Sequence, residues 1–395
     1  MSQFSRSVTA SVTRITFPRH SFRGGRRADD VRLPLRSVSR LPGIALGALL
    51  LLASVACAPA PAAPASAPQG PATPHGTQAG GAQPAGAAQT VKMIHVPSVL
   101  FAPLYVAIEK GYLRDQGIEL QLDRAAAGQD AMPLLASGQI DVLVGGFSAA
   151  TFNAIGRGLD LRIVASMGRQ PHQGYPSALM VRKDLLDTGA VQDIKDLKGR
   201  KVAISGGIGA AGSYWVATKL RPAGLTLKDI EIVNLGFPEM VAAFQSRAID
   251  AAFPSAPATT QIRNAGTADY FGGVTEPGAS AVGVAYGGPF MKNRPDVARK
   301  LMVALIKGAR AVQGSGYFAP DNLEAYARYT ATPVETLKMM DAYEFEPNLA
   351  PDEKTLTDMQ RVFIAEGAEQ AAEPIPAASY IDDSFQKAAA AELGG

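Results

Sequence analysis

The chain has little of what metal and redox chemistry require. Its 395 residues include one cysteine, Cys57, and four histidines. A single cysteine allows no intramolecular disulfide and no thiolate cluster for zinc. His20 and His75 fall in segments that composition assigns to a leader and a linker, so only His95 and His172 remain for chemistry within a fold. No Ser–His–Asp set or paired carboxylates are recognisable, and the sequence predicts no catalytic residue, no metal site and no cofactor.

Positive charge is also scarce once the N-terminal segment is set aside. Nine of the 38 basic and two of the 35 acidic residues precede Cys57, which leaves 29 basic against 33 acidic groups, a net charge of −4, after it. Nucleic-acid binding needs a basic surface. That class of function therefore has no support in this sequence.

An apolar run ends just before Cys57. Residues 41–55 read LPGIALGALLLLASV, and Arg36 and Arg40 precede them. About fifteen apolar residues fit the hydrophobic region of a signal peptide and fall short of the roughly twenty that span a membrane. The pattern resembles a bacterial lipoprotein leader, which implies acylation of Cys57 and anchoring to the outer face of a bacterial cell membrane. Ser54 stands where that family usually has Leu, and ordinary signal-peptide cleavage with an incidental cysteine is the alternative.

Composition divides the chain into three parts. Residues 1–57 are predicted to be a leader with a lipoprotein signal peptide. Residues 58–90 are small and polar and include no charged residue. Such a segment cannot bury enough surface to fold, so it is predicted to be a disordered Ala/Pro/Gly linker. The remainder is long enough for two lobes, each with its own core.

From residue 91 onward, short β-rich runs alternate with helical stretches. Strands are predicted at 91–96, 118–122, 141–145, 161–166, 200–205, 230–235 and 250–253. Helices are predicted at 101–111, 129–137, 149–157, 210–220, 239–246, 297–313, 334–342 and 353–366. Strand–helix–strand repeats at this spacing predict parallel βαβ units of an α/β fold. The phrases LLASGQIDVLVGG (134–146) and AFQSRAIDAAFPS (243–255) indicate a weak internal duplication.

Several longer sequence motifs occur in a consistent order along the two halves of the chain. The first half contains GYL at 111–113, QGIEL at 116–120 and ASGQID at 136–141. The second half contains DLKGRKVAIS at 196–205 and SRAIDAAF at 246–253. Together they resemble the substrate-binding proteins of ABC transporters, in the branch that includes the sulfonate, taurine, nitrate and thiamine-precursor binders.

This resemblance implies a type II periplasmic-binding-protein fold. Such a fold has two α/β lobes joined by two crossing segments, here expected at 177–181 and 280–286, with the ligand between the lobes. The first lobe is expected to comprise residues 91–178 and 284–395, with the C-terminal helices packed on it. The second lobe is expected to comprise residues 179–283.

The resemblance also implies a function. The protein is expected to be a monomeric solute-binding lipoprotein, not an enzyme, that captures a small anionic solute and delivers it to an ABC permease. An exported binding component of a sensor or of a non-ABC transporter is the alternative. Arg247 departs from the family, which usually has glycine at this turn, but the turn lies away from the expected cleft.

The ligand site is expected where strands end. In open parallel sheets, ligands collect beyond the carboxyl ends of strands, and the free N–H groups of nearby helix starts favour an anionic oxygen. The predicted ligand-binding residues are Ser98, Leu100, Phe101, Gly146, Phe147, Ser148, Ser205, Gly206, Gly207, Gly209, Gly212, Ser213, Pro254, Ser255 and Tyr286. The glycines and serines could instead serve only turns and N-caps, and the three aromatic side chains could equally be core. His95 is expected to be a core histidine and Trp215 to pack within its helix.

Two enzyme classes are weaker alternatives. Gly207, Gly209 and Gly212 form G-x-G-x-x-G after a predicted strand, as in NAD-dependent oxidoreductases, but the next strand ends in Asn234 and not in an acidic residue. Other proteins with the expected fold make the thiamine pyrimidine from pyridoxal phosphate and their own histidine. Those enzymes are cytosolic, whereas this chain carries an export leader.

Mass spectrometry of the mature N-terminus tests the predicted anchor. We expect the mature chain to begin at Cys57 and to carry the added mass of acyl chains, because the leader pattern resembles that of lipoproteins. A mature N-terminus elsewhere, or an unmodified Cys57, would contradict this prediction.

Overall fold

The computed structural model describes residues 88–273 and 276–395. The predicted leader, Cys57 and all but the last three residues of the predicted linker lie outside this part of the chain. Within it, strands occupy Gln89–His95 (β1), Ile118–Arg124 (β2), Val142–Gly146 (β3), Leu161–Ser166 (β4), Met180–Arg182 (β5), Lys201–Ile204 (β6), Glu231–Asn234 (β7), Ala251–Ala252 (β8), Ala268–Tyr270 (β9) and Val282–Gly287 (β10).

Helices connect and cover these strands. They occupy Ala102–Glu109 (α1), Tyr112–Asp115 (α2), Met132–Ala136 (α3), Ala149–Gly156 (α4), Lys183–Asp187 (α5), Ala211–Leu220 (α6), Phe237–Gln245 (α7), Ala258–Asn264 (α8), Gly288–Asn293 (α9), Pro295–Ala311 (α10), Pro320–Thr330 (α11), Val334–Leu337 (α12), Glu353–Ala365 (α13), Ala377–Tyr380 (α14) and Ser384–Glu392 (α15). In the part that is described, no helix is long and apolar enough to cross a membrane.

The strands form two separate five-stranded sheets. The first has the order β2-β1-β3-β10-β4 and the second the order β7-β6-β8-β5-β9. We call the first sheet with its helices the first lobe, and the second sheet with its helices the second lobe. Two α/β lobes with crossing connections are the predicted fold class, and the limits of the lobes in sequence remain a prediction.

Both sheets are mixed, and the predicted βαβ units within them are parallel, because β1 pairs in parallel with β2 and β3, and β6 with β7 and β8. β10 runs antiparallel to β3 and β4 at the centre of the first sheet. In the second sheet β5 runs antiparallel to β8 and β9. The segment 280–286, predicted as the return crossing, therefore lies largely within β10, and the chain crosses between β9 and β10. The sequence patterns predicted no strand at β5 or β10, because both fall in the segments expected to cross between the lobes.

The internal duplication is visible in matched hydrogen bonds. Asp141 accepts a hydrogen bond from the backbone N–H of Lys92 at 2.9 Å, and Asp250 accepts one from the N–H of Lys201 at 3.0 Å. In each lobe the aspartate thus ties the turn before a buried strand to the start of its neighbour. The preceding turns also match, because Arg247 takes φ 58° where the first copy has Gly138 at φ 72°. Arginine occupies the left-handed conformation that glycine adopts without strain.

The C-terminal helices pack mainly on the first lobe, as predicted. α10 lies against α1 and α15, and its buried residues join the core that includes the strands of the first sheet. α13 differs from these helices, because it contacts α4 of the first lobe and α6 of the second. The predicted helix over 334–342 ends at Leu337, and the sequence patterns missed α11 and α15.

His95 is a core histidine, as predicted. Its side chain is 1% exposed, and its Nδ1 lies 3.1 Å from the hydroxyl of Tyr105. Loss of solvation on burial lowers the pKa of His95 to about 4, and the charge of Arg124 acts in the same direction. The imidazole is therefore neutral at physiological pH and does not serve as a proton-transfer group there.

A glycine in α10 permits the close approach of α1. A Cβ added to Gly308 would collide with the carbonyl oxygen of Pro103. We expect Gly308→Ala to destabilise the protein by about 1 to 3 kcal/mol, because α10 and α1 must separate. Gly156→Ala is the matched control, since nothing lies within 4 Å of the added carbon in the last turn of α4. Urea unfolding checks both, and equal stability of the two variants would contradict the packing.

The burial of His95 predicts lower stability in acid. The imidazole of an unfolded chain binds a proton near pH 6.5, whereas the folded protein binds it only near pH 4. The contribution to stability is therefore complete above pH 6.5 and is lost as the pH falls to 4, by on the order of 2 to 3 kcal/mol. NMR of the imidazole carbons should show His95 still neutral at pH 5. Protonation of folded His95 near pH 6.5 would contradict this.

Candidate functional site

A cavity lies between the two lobes at the carboxyl ends of their strands. The loops that follow β1, β3, β6 and β8 form four of its walls, and these are the four loops that the sequence indicated. The lining residues are Val96, Leu100, Phe101, Ala127, Gly128, Gln129, Gly146, Ser148, Gly168, Gln170, Ser177, Ser205, Ala210, Ala211, Gly212, Trp215, Phe237, Phe253, Ser255, Ala281 and Val282. Both lobes and both crossing segments contribute, so a solute in the cavity would contact each of them.

The cavity is narrow. The space between its atoms is about 670 Å³, which includes the open mouth, and the centres of water molecules fit within about 60 Å³ of it. The smaller volume describes the room for a solute better, because it leaves out the bulk solvent of the mouth. The cavity therefore suits a small solute.

The lining combines aromatic rings with uncharged polar groups. Four aromatic side chains face it, and the polar side chains are two glutamines and four serines. The aromatic residues are Phe101, Trp215, Phe237 and Phe253, and the polar residues are Gln129, Ser148, Gln170, Ser177, Ser205 and Ser255. No Asp, Glu, Lys, Arg or His side chain belongs to the lining among the described residues.

The two lobes touch each other across the cavity mouth. Gln129 of the first lobe donates from Nε2 to the carbonyl oxygen of Gly206 at 2.5 Å, and Ser205 donates to the carbonyl of Ala126 at 3.0 Å. The backbone N–H of Ala149 donates to the carbonyl of Gly209 at 2.8 Å. Direct bonds of this kind between lobes indicate that the structure is the closed form.

The helix starts offer few free amides. The N–H of Leu100 before α1 is bonded to the hydroxyl of Ser98, and the N–H of Thr151 in α4 is bonded to that of Ser148. At the start of α6, the amides of Ala211 and Gly212 have no hydrogen-bond partner within the described residues. This end of the cavity thus presents backbone donors in the way that an anion site requires.

The predicted ligand-binding residues fall into two groups. Those that line the cavity are Leu100, Phe101, Gly146, Ser148, Ser205, Gly212 and Ser255. Those that lie outside the lining are Ser98, Phe147, Gly206, Gly207, Gly209, Ser213, Pro254 and Tyr286.

The second group has structural contacts instead. Ser98 and Ser213 bond backbone groups, as the N-cap alternative anticipated. Phe147 belongs to the core, and Tyr286 is buried with its hydroxyl donating to the carbonyl of Ala298. Gly206, like the two glycines that follow in the loop, has positive φ and shapes the turn after β6.

Several lining residues were not predicted. Gln129, Gln170, Ser177, Trp215 and Phe237 reach the cavity from a turn, a crossing segment and the first turns of helices. Their sequence surroundings carry no motif. Trp215 was predicted to pack within its helix. In α6 it does pack against Tyr214, and its ring also lines the cavity. Only the closing of the fold brings these residues together.

The glycine-rich motif does not build a dinucleotide site. Of its three glycines only Gly212 lines the cavity. Asn234, at the end of β7, accepts a hydrogen bond from the N–H of Gly206 at 2.9 Å and so ties the loop to the sheet. An acidic residue for a ribose is missing there. Among the described residues, no group of three or more His, Cys, Asp or Glu side chains could hold a metal ion.

Two α/β lobes that enclose a cavity between their strand ends define the type II periplasmic-binding-protein fold. A family model described as "NMT1/THI5 like" matches residues 99–315, more than half of the chain. The chain therefore belongs to the NMT1/THI5-like family.

Individual relatives agree with this assignment. The chain is 27% identical over 280 residues to the riboflavin-binding protein RibY of Chloroflexus aurantiacus, covering 68% of this chain and 73% of that protein. It is 28% identical over 137 residues to a 4-amino-5-hydroxymethyl-2-methylpyrimidine phosphate synthase of Aspergillus parasiticus, covering only 34% of this chain and 36% of the synthase.

A solved structure shows the same fold. The periplasmic nitrate-binding protein NrtA from Synechocystis PCC 6803 superimposes with a TM-score of 0.62 at 16% identity, over 78% of this chain and 89% of that chain. At this identity the likeness concerns the fold alone.

Proposed function

We propose that the protein is a solute-binding protein that closes its two lobes about a small, uncharged organic solute with an aromatic ring. The observation that carries the proposal is the lining of the cavity, where four aromatic side chains meet polar side chains without a charged group among the described residues. Aromatic walls favour a flat ring through stacking and edge contacts. A bare anion would have to leave water without a cation to receive it.

Closure follows from where the contacts lie. Trp215 and Phe237 belong to the second lobe, whereas Phe101 belongs to the first. A solute touches all three only when the lobes meet, so binding stabilises the closed form by differential contact. The sequence prediction of an anionic solute finds support at the free amides of α6, and it remains a prediction.

The wider setting of the proposal comes from the leader and the relatives. We infer a protein anchored through Cys57 on the outer face of a bacterial membrane, which hands its solute to an ABC permease. RibY is named as a binding protein, and NrtA as a periplasmic one. A sensor or another type of transporter could receive the closed form equally well. Deletion of a candidate permease distinguishes the ABC importer from these alternatives. Loss of solute uptake, while the protein still binds the solute, would support the importer.

Catalysis is not part of the proposal. The partial relatives named as synthases share about a third of their length with this chain. Both described histidines, His95 and His172, lie outside the cavity lining, as do all described lysines. The groups that such chemistry would use are therefore not assembled here.

A thermal-shift panel tests the proposed solute class. We expect uncharged ring compounds, such as 4-amino-5-hydroxymethyl-2-methylpyrimidine, to raise Tm by on the order of 5 °C at a hundredfold excess over Kd, because ligand binds only the folded state. Riboflavin, nitrate, taurine, simple carboxylates and NAD complete the panel. Stabilisation by nitrate or taurine alone would contradict the uncharged solute, and stabilisation by NAD alone would favour an oxidoreductase.

Two variants locate the binding in the cavity. Phe237→Ala removes an aromatic wall and should reduce the affinity of the stabilising compound by about tenfold or more. Phe318→Ala is the control, because Phe318 is 39% exposed and lies outside the cavity lining. The fluorescence of Trp215, the single tryptophan of the chain, provides the titration. Equal affinities in the two variants would place the solute elsewhere.

A further inference from the structure

A chain of buried hydroxyl groups ends at the cavity. Ser177 and Ser255 line the cavity, and their Oγ atoms are 2.9 Å apart. The Oγ of Ser177 also lies 2.6 Å from the hydroxyl of Tyr343, which in turn lies 2.9 Å from the carbonyl oxygen of Pro176. Ser177, Ser255 and Tyr343 are 4%, 5% and 3% exposed, so water competes little with these contacts.

The carbonyl of Pro176, at the end of this hydroxyl chain away from the cavity, determines which hydroxyl donates at each contact. The carbonyl of Pro176 can only accept, so the one hydroxyl proton of Tyr343 lies on that contact. Ser177 must then donate to Tyr343, and Ser255 must donate to Ser177. This is the only arrangement in which each of the three contacts carries a proton. Burial raises the pKa of Tyr343, so the hydroxyl keeps its proton at neutral pH.

The consequence concerns the atoms that face the solute. Both serine hydroxyls have used their protons within the chain, and each has only lone pairs left for the cavity. Ser205 is in the same state, because its hydroxyl donates to the carbonyl of Ala126. Gln129 directs one amide N–H toward Gly206, which leaves its second N–H and its carbonyl oxygen free. Three of the serines that line the cavity, Ser177, Ser205 and Ser255, therefore offer only acceptors.

We propose that the solute presents an N–H or O–H donor to Ser177 and Ser255, and that Tyr343 is the positioning residue that determines this preference. Tyr343 does not line the cavity, and it acts through the two serines. The proposal rests on the proposed function and narrows it to rings that carry an amino, amide N–H or hydroxyl group. A ring with an acceptor at the same place would leave lone pairs facing lone pairs, which costs more than one missing bond.

A matched pair of probes tests the preference. Isothermal titration compares 4-amino-2-methylpyrimidine with 4-methoxy-2-methylpyrimidine, in which the donor is replaced by an acceptor. The wild type should prefer the amino compound by about tenfold or more. In Tyr343→Phe the proton of Ser177 loses its acceptor and can turn toward the cavity, so the preference should fall below about threefold.

The control variant keeps the rest of the core. Tyr326→Phe removes a buried hydroxyl that has no hydrogen-bond partner among the described residues. This hydroxyl is not part of the series formed by Ser255, Ser177 and Tyr343. The variant should retain the wild-type preference. An unchanged preference in Tyr343→Phe, or the same loss in Tyr326→Phe, would overturn the assigned role, because a merely structural tyrosine would not alter the ratio of the two affinities.

Neutron diffraction decides the proton direction without any solute. In deuterated crystals the deuteron of Ser255 should point at Ser177 and that of Tyr343 at the carbonyl of Pro176. A deuteron of Ser255 directed into the cavity would overturn the inference. If the wild type binds neither pyrimidine while the deuterons lie as expected, the proposed ring solute is wrong and the acceptor character of this wall is upheld.

Discussion

Direct hydrogen bonds between the lobes are the constraint on which the site depends. Gln129 reaches Gly206, and the start of α4 reaches the loop after β6 through Ala149 and Gly209. These bonds exist only when the strand ends of the two sheets face each other. They bring residues that are far apart in sequence into one narrow cavity, and any widening of the cleft breaks them together with the contacts to a solute.

The hydrogen bonds that the cavity can offer to a solute depend on which of its polar groups already bond to the protein. The hydroxyl protons of Ser177, Ser205 and Ser255 are used in bonds to other protein oxygens, and aromatic rings supply much of the apolar surface. An enclosed site of this kind discriminates by hydrogen-bond direction more than by charge, since an unmatched polar group inside it is costly. α13, which contacts helices of both lobes, adds a second connection between them.

The sequence predicted the lobes well and the site only partly. Alternating strands and helices, together with the repeated Ile-Asp turns, predicted two α/β lobes, and Asp141 and Asp250 indeed play matching roles. The antiparallel strands β5 and β10 were not predicted as strands, because they fall in the segments expected to cross between the lobes. The loops after the predicted strands line the cavity, but Trp215 and Ser177 lie on a helix and a crossing segment, where their neighbours along the chain do not reveal what they face.

Pulsed electron resonance tests the central claim, that the lobes close about a solute, most directly. Spin labels are placed on exposed positions of the two lobes by Glu119→Cys and Lys228→Cys, in a chain with Cys57→Ser. Without solute, the account predicts a population with a longer distance between labels. Saturation with the compound that raises Tm should leave one shorter distance. A single distance that stays unchanged when a stabilising compound binds would contradict closure.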